Sequence, residues 1–256
     1  MNITPEHARA YVGNLDLPAR GPRLEAVEGE GQEAVQFGTE AQAVVIGAQI
    51  AEFSKGVDAT TRRAVADSLL IAQLAANKAA DSATDVSAWY RKYVDVLQNL
   101  GWVVGESEFK EQSVSDTDAG VHTAIIPVVM SMLAPGSAAL AMVLSILNGL
   151  REIDRNSKWI TLFDQASQHA RGAKFQFSQI DADSDGNPRI AALSFGILAD
   201  HTVTQVLFFK FSQDQVTLES AHTTLSMTTQ QLDAVRDSIA ARVRPFVVDF
   251  VQNLEI

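Results

Sequence analysis

Hydrophobic positions along this chain recur first at helical spacing and then, from about Ala173, at strand spacing. Asp58 and Thr60 can cap a helix running to about Lys78, with Val65, Leu69, Ala72 and Ala76 on one face. Asp85 opens a second, carrying Trp89, Tyr93, Val96, Leu97 and Leu100 and ending at Gly101. Trp102, Val103 and Val104 then read as a short strand. The stretch from Ala41 to Phe53 suits either a helix, through Ile46, Ile50 and Phe53, or a buried strand, through Val44, Val45 and Ile46.

Beyond Ala173 the period becomes two. Phe175 and Phe177 alternate with Lys174, Gln176 and Ser178; Leu193, Phe195 and Ile197 form a second series, and Leu207, Phe209 and Phe211 a third. Val216 and Leu218 open a fourth. Asp185-Gly186-Asn187-Pro188 and Asp200-His201 fall where hairpin turns belong. A last helix from about Thr228 presents Leu232, Val235, Ile239 and Val243, with a kink expected at Pro245.

Between these regions lies a window from Val121 to Leu150 without a single Asp, Glu, Lys or Arg. Pro135-Gly136 interrupts it, and proline inside a helix removes a backbone donor and clashes with the preceding turn. Two helices are therefore expected, the first beginning near Asp116 or Asp118 and the second capped by Ser137. Each half offers roughly 14 to 16 residues, or about 21 to 24 Å at 1.5 Å per residue. A spanning helix needs about 20 residues for about 30 Å of hydrocarbon. Geometry thus favours a buried hairpin, with conditional insertion into a membrane and a constitutive spanning segment as the alternatives. Ile125, Ile126, Val129, Met132, Leu133, Leu140, Met142, Leu144 and Leu147 are the residues that would meet lipid or a partner.

The resulting fold class is α+β: a helical N-terminal part with a buried apolar helical hairpin, and a C-terminal four-stranded antiparallel meander closed by a helix. Residues 1–37, rich in Gly, Pro and Glu, form an irregular acidic arm; 38–165 are mainly helical, with the hairpin at 118–151; and 170–256 carry the sheet and last helix, with one continuous domain as the alternative.

Charge changes the picture of partners. A net charge of -11 leaves too little Lys and Arg to neutralise phosphates, which excludes nucleic acid. With no cysteine there is no disulfide, thiolate nucleophile or Cys-based zinc site. The polar start, Met1 to His7, lacks the basic and apolar pattern of a signal peptide, so a cytoplasmic location, or export without a cleavable signal, is expected.

Candidate chemistry is sparse. Asp181, Asp183, Asp185 and Gly186 match the start of a calcium loop, but Ala192 stands where such a loop carries its bidentate Glu. A solvated Asp-rich turn is the favoured reading, with a weak calcium site as its rival and calcium the only cofactor suggested. Gly29-Glu30-Gly31-Gln32-Glu33-Ala34 has the outline of a dinucleotide fingerprint without the apolar strand that should precede it. His7, His122, His169, His201 and His222 form no close ligand pair. Trp89, Tyr90, Tyr93 and Trp102 read as core, with a lipid-interface belt or a ligand pocket as the rival.

Leu70 to Lys78, Trp89-Tyr90 through Leu97, Gly101-Trp102-Val103, Phe209-Lys210-Phe211-Ser212 and Asn253-Leu254-Glu255-Ile256 resemble patterns in a family of uncharacterised bacterial and fungal proteins. The resemblance carries no activity and no site residue. From the residues themselves, a non-enzymatic binding protein is expected, engaging a lipid membrane through the apolar hairpin in the manner of a soluble pore-forming or virulence protein. The alternative is a soluble protein-interaction module or homo-oligomer, and an enzyme of unknown class comes third.

Overall fold

A strand buried on both faces loses the apolar–polar alternation that marks a half-exposed one, and this explains the ambiguity of Ala41–Phe53. In the computed structural model, which describes residues 3–19, 35–79, 86–113, 120–150, 152–169, 172–198, 203, 205–208 and 217–254, the segment is a β-hairpin. Its strands are β1 (Gln42–Ile46) and β2 (Gln49–Phe53). Val44 and Ile46 face one apolar cluster while Val45 faces the other, so three consecutive residues are all buried. Gly47 makes the turn at φ +55°, and a Cβ there would stand 2.6 Å from the Gln73 Oε1 that accepts a hydrogen bond from the Ala48 amide.

The element order is α1 (Pro5–Asn14), β1, β2, α2 (Ala59–Ala79), α3 (Val86–Leu100), β3 (Val103–Ser113), α4 (Val121–Ala124), α5 (Ile126–Met132), α6 (Ala138–Gly149) and α7 (Lys158–Ser167). There follow β4 (Gln168–His169), β5 (Gly172–Ala182), β6 (Pro188–Leu198), a 3-10 turn (Val206–Phe208), β7 (Thr217–Ser226), α8 (Thr229–Val243), α9 (Val247–Phe250) and β8 (Val251–Asn253). The strands form one mixed sheet in the order β3-β7-β6-β5-β2-β1-β8, with β4 pairing β5 to one side. All neighbours are antiparallel except β2 and β5, which run parallel with Gln49 opposite Gln176 and Phe53 opposite Ile180.

The α+β class holds, but the expected four-stranded antiparallel meander does not. Only β5, β6 and β7 form a meander; β3 extends it on one side and β2-β1-β8 on the other. Two physical reasons account for the difference. The third expected strand begins at Val206–Phe208, which is a 3-10 turn, while Phe209, Phe211 and Val216 lie outside the described residues. Of the strands contributed by the N-terminal part, β1 is apolar at every position after Gln42 and β3 is mostly polar beyond Val104, and neither shows a period of two.

Helices cover both faces of this sheet. One cluster packs α1, α2, α3 and α8 against Val44, Ile46, Phe53, Ile180 and Ile190. The other packs α5, α6, α7 and the 3-10 turn against Val45, Ile50, Phe175, Phe177 and Phe195. α2 begins where Asp58 Oδ1 accepts from the amides of Thr60 and Thr61, and its residues Ala64 to Ala76 are all buried. α8 is capped by Thr228, whose side chain accepts from the Gln231 amide. The expected kink at Pro245 is a full break: α8 ends at Val243, and the chain returns through α9 to pair β8 with β1.

Of the acidic arm, residues 20–34 lie outside the described residues, and with them the Gly29–Ala34 pattern. Residues 5–14 are helical: α1 is capped by Thr4 and buries Ala8 and Val12.

Candidate functional site

The charge-free window folds into a helical layer on one face of the sheet. Pro127 cannot donate to the turn before it, and α4 gives way to α5 at Ile125. Pro135-Gly136, with Gly136 at φ +78°, separates α5 from α6, and Ser137 Oγ accepts from the Leu140 amide at 3.2 Å to start the latter. The expected two helices are thus three, because the first half contains its own proline. Asp116 and Asp118, the expected start, lie outside the described residues.

Of the nine residues expected to meet lipid or a partner, Ile125, Val129, Leu133, Met142 and Leu147 are buried against the sheet, and Ile126, Met132, Leu140 and Leu144 are half-buried. The outward face is neutral as well. It presents Met130, at 57% exposure, with small or uncharged residues such as Ser131, Ala138, Ala141 and Ser145.

Beneath this layer the sheet is aromatic. Phe175 stacks on Phe195 with ring centroids 5.2 Å apart, Phe177 lies edge-on to both, and Phe163 of α7 meets Phe175 at 6.1 Å. Among the described residues, no side-chain hydrogen bond joins α5 or α6 to the sheet; their polar side-chain contacts, Ser131 to the Val128 carbonyl and Ser137 to Leu140, are local. Among the described residues the contact that holds them to the sheet is apolar, and such contact has no directional preference.

The opposite face differs in kind. Gln49 Nε2 donates to Ser178 Oγ, Tyr93 Oη donates to Gln49 Oε1 at 3.3 Å, and Tyr90 Oη donates to the Phe175 carbonyl at 2.9 Å. Gln176 Nε2 donates to Ser194 Oγ at 3.0 Å, and the Lys174 ammonium lies 4.8 Å from the centre of the Trp89 ring. Burial lowers the Lys174 pKa to about 7. The alternation Lys174-Phe175-Gln176-Phe177-Ser178 shows the two faces but cannot reveal that the polar one is also covered.

At the margin of the apolar layer two titratable groups hold the 3-10 turn. Asp164 Oδ1 of α7 accepts from the Val206 amide at 2.7 Å, and His122 Nδ1 of α4 lies 2.9 Å from the Leu207 carbonyl oxygen. The turn is entered through Gln205 at φ +51°, a conformation that costs a non-glycine residue about 1 kcal/mol or more. Burial raises the Asp164 carboxyl to about 6 against the lowering effect of its backbone hydrogen bond. Asp164 was not legible as a site residue: it stands in Phe163-Asp164-Gln165, and nothing in that pattern marks an acid on a buried face.

The remaining candidates are not drawn together. Arg189 forms an ion pair with Asp181 at 3.1 Å, while Asp183 Oδ1 accepts from the amides of Asp185 and Asn187. Asp183 is thereby held below the usual carboxylate range, chiefly by the Asn187 amide. Asp185 is exposed at the tip. Among the described residues, no three His, Asp or Glu side chains gather where they could hold a metal ion. His7 Nε2 lies 3.4 Å from Asn99 Oδ1 and His222 sits on β7; His201 and the side chain of His169 lie outside the described residues. Trp89, Tyr90 and Tyr93 are core, with Trp89 stacked on Tyr93 at 5.3 Å.

No helix among the described residues is long and apolar enough to cross a membrane. No family model matches the chain. No curated protein matches it either. Among solved structures it is similar to a delta-endotoxin, at 12% identity over 82% of this chain and 89% of that one, with a TM-score of 0.40. It is also similar to activated Cyt2Ba monomer from Bacillus thuringiensis subsp. israelensis, at 14% identity over 70% and 96% of the two chains, with a TM-score of 0.38. A third likeness is to the Evf virulence factor, at 13% identity over 81% and 82%, with a TM-score of 0.29.

Proposed function

We infer that this is a non-enzymatic binding protein that engages lipid membranes through the α5–α6 part of the apolar layer. One observation supports the reading above others: α5 and α6, uncharged on both their faces, meet the sheet through apolar contact, with no side-chain hydrogen bond to it among the described residues. Acyl chains can replace such contacts without leaving polar groups unpaired, because each helix satisfies its own backbone. At 12 residues α6 is about 18 Å long, short of the roughly 30 Å of bilayer hydrocarbon. The layer therefore lies in the interfacial plane, sunk into the acyl chains on both of its uncharged faces, and the hydrogen-bonded half of the molecule stays folded outside.

Dye release from phosphatidylcholine vesicles, followed from roughly pH 4.5 to 7.5 together with co-flotation, tests this directly. Leakage with co-flotation is expected. Met130→Glu and Ala141→Glu place a charge on the exposed face, and each should cut leakage at least tenfold while leaving the unfolding temperature within about 2 °C. Intact vesicles and no co-flotation throughout that range would sink the reading.

A further inference from the structure

Away from the apolar layer, three chain reversals and the start of α1 meet around a cleft of about 1230 Å³. Its walls come from the N-terminus of α1, the α3–β3 corner, the β5–β6 hairpin and the β7–α8 corner. The Asp-rich hairpin enters here: Asp183 and Asn187 stand on the rim.

Two sets of polar groups line the cleft. The first is fixed. Asn187 Nδ2 donates to Asp183 Oδ2 at 3.2 Å and its Oδ1 accepts from the Thr229 amide at 3.0 Å; Asn99 Nδ2 donates to the Asp95 carbonyl at 2.8 Å; and Gln231 Nε2 donates to the Leu100 carbonyl at 3.3 Å. Gly101 makes the last contact possible, since at φ +107° a Cβ there would lie 2.7 Å from Gln231 Nε2. The second set is uncommitted. The side chains of Gln98 and Gln230 are exposed and make no hydrogen bond within the described protein, and Trp102 is 2% exposed with an indole Nε1–H that has no partner.

This chemistry selects its ligand. Among the described residues the lining contains no Lys or Arg, and its one ionisable side chain there is an acid, so these groups offer a phosphate or carboxylate ligand no counter-charge. Side-chain amides carry a donor and an acceptor side by side, which matches adjacent hydroxyls that each donate and accept. Val103, at 64% exposure, supplies an apolar surface for the C–H face of a ring. We propose that this cleft binds a neutral oligosaccharide, with Gln98 and Gln230 hydrogen-bonding its hydroxyls and the buried Trp102 indole beside them sensing the occupied cleft. The sugar is either free in solution or the headgroup of a neutral glycolipid.

The full chain is titrated with maltotetraose, cellotetraose and chitotetraose to roughly 20 mM, a range that reveals millimolar Kd. The readout is the indole N–H resonance of Trp102, assigned by its loss in Trp102→Phe. A second arm compares co-flotation with plain phosphatidylcholine vesicles and with vesicles containing lactosylceramide, in the absence and presence of free lactose. At least one sugar should shift the Trp102 resonance and leave those of Trp89 and Trp159 in place, or lactose should release the glycolipid-dependent fraction. Gln98→Ala with Gln230→Ala should weaken that response about tenfold. The proposal is overturned if no sugar in either arm gives a response, if the double variant binds as tightly as the parent, or if tetra-alanine shifts Trp102 and the sugars do not. The soluble arm contains no lipid, so its outcome is separate from that of the membrane reading.

Discussion

Arg62 shows how much a single side chain carries in this fold. It is fully buried at the start of α2, and its guanidinium donates to the carbonyls of Val57 at 2.7 Å, Glu40 at 2.6 Å and Ser54 at 2.9 Å. Those carbonyls belong to the loops on either side of the β1–β2 hairpin, so one cation closes them against the helix. Arg62→Lys cannot reproduce the planar fork and leaves buried acceptors unpaired. It should cost about 3 kcal/mol in urea unfolding, well beyond a surface substitution. Lys174 has the opposite balance. Its folded pKa of about 7 lies below the ordinary lysine value, so the unfolded chain holds the proton more tightly between those limits. The cost of burying the charge is complete below about pH 7 and fades as pH rises toward the ordinary lysine range. Lys174→Met should therefore stabilise the protein by about 2 kcal/mol at pH 6.5 and by progressively less toward pH 10 in parallel denaturant titrations.

At the scale of elements, the sequence shows most where a period or a cap is strong. α3 follows its aromatic spacing, α2 begins at its Asp58 cap and α6 begins at Ser137. Ser137→Ala should lower stability by about 1 kcal/mol and loosen the first turn of α6, read as faster amide exchange there. What escaped the sequence has physical causes. β8 is three residues long and exists only because β1 offers an edge, while most of β3 is polar. The apolar layer was legible as a segment because absence of charge is a local property. Its hold on the 3-10 turn through Asp164 and His122 is a product of tertiary packing, as is the cleft, whose walls are separated in sequence by up to two hundred residues or more.

For the molecule as a whole, three buried groups with large pKa shifts couple folding to pH. Burial raises Asp67 and Asp164 to about 6, so the native state binds protons that the unfolded chain has released, and their contribution to stability falls as pH rises from about 4 to about 6. Lys174 contributes a rise only above about pH 7. These groups together place a minimum near pH 6 to 7. Asp67→Asn with Asp164→Asn should flatten the limb between about pH 4 and 6 and raise stability at pH 7, checked by the urea midpoint at each pH. Protonating Asp164 favours the closed molecule, so acidification gains no release of the apolar layer from this residue.

The parallel seam between β2 and β5 carries a consequence for synthesis. Residues 49–53 find their neighbours at 176–180, and the far edge of the same hairpin waits for 251–253. A nascent chain can thus form its early helices while the hairpin still has open edges, prone to pair with another copy. Final closure awaits the emergence of residues 251–253 from the ribosome.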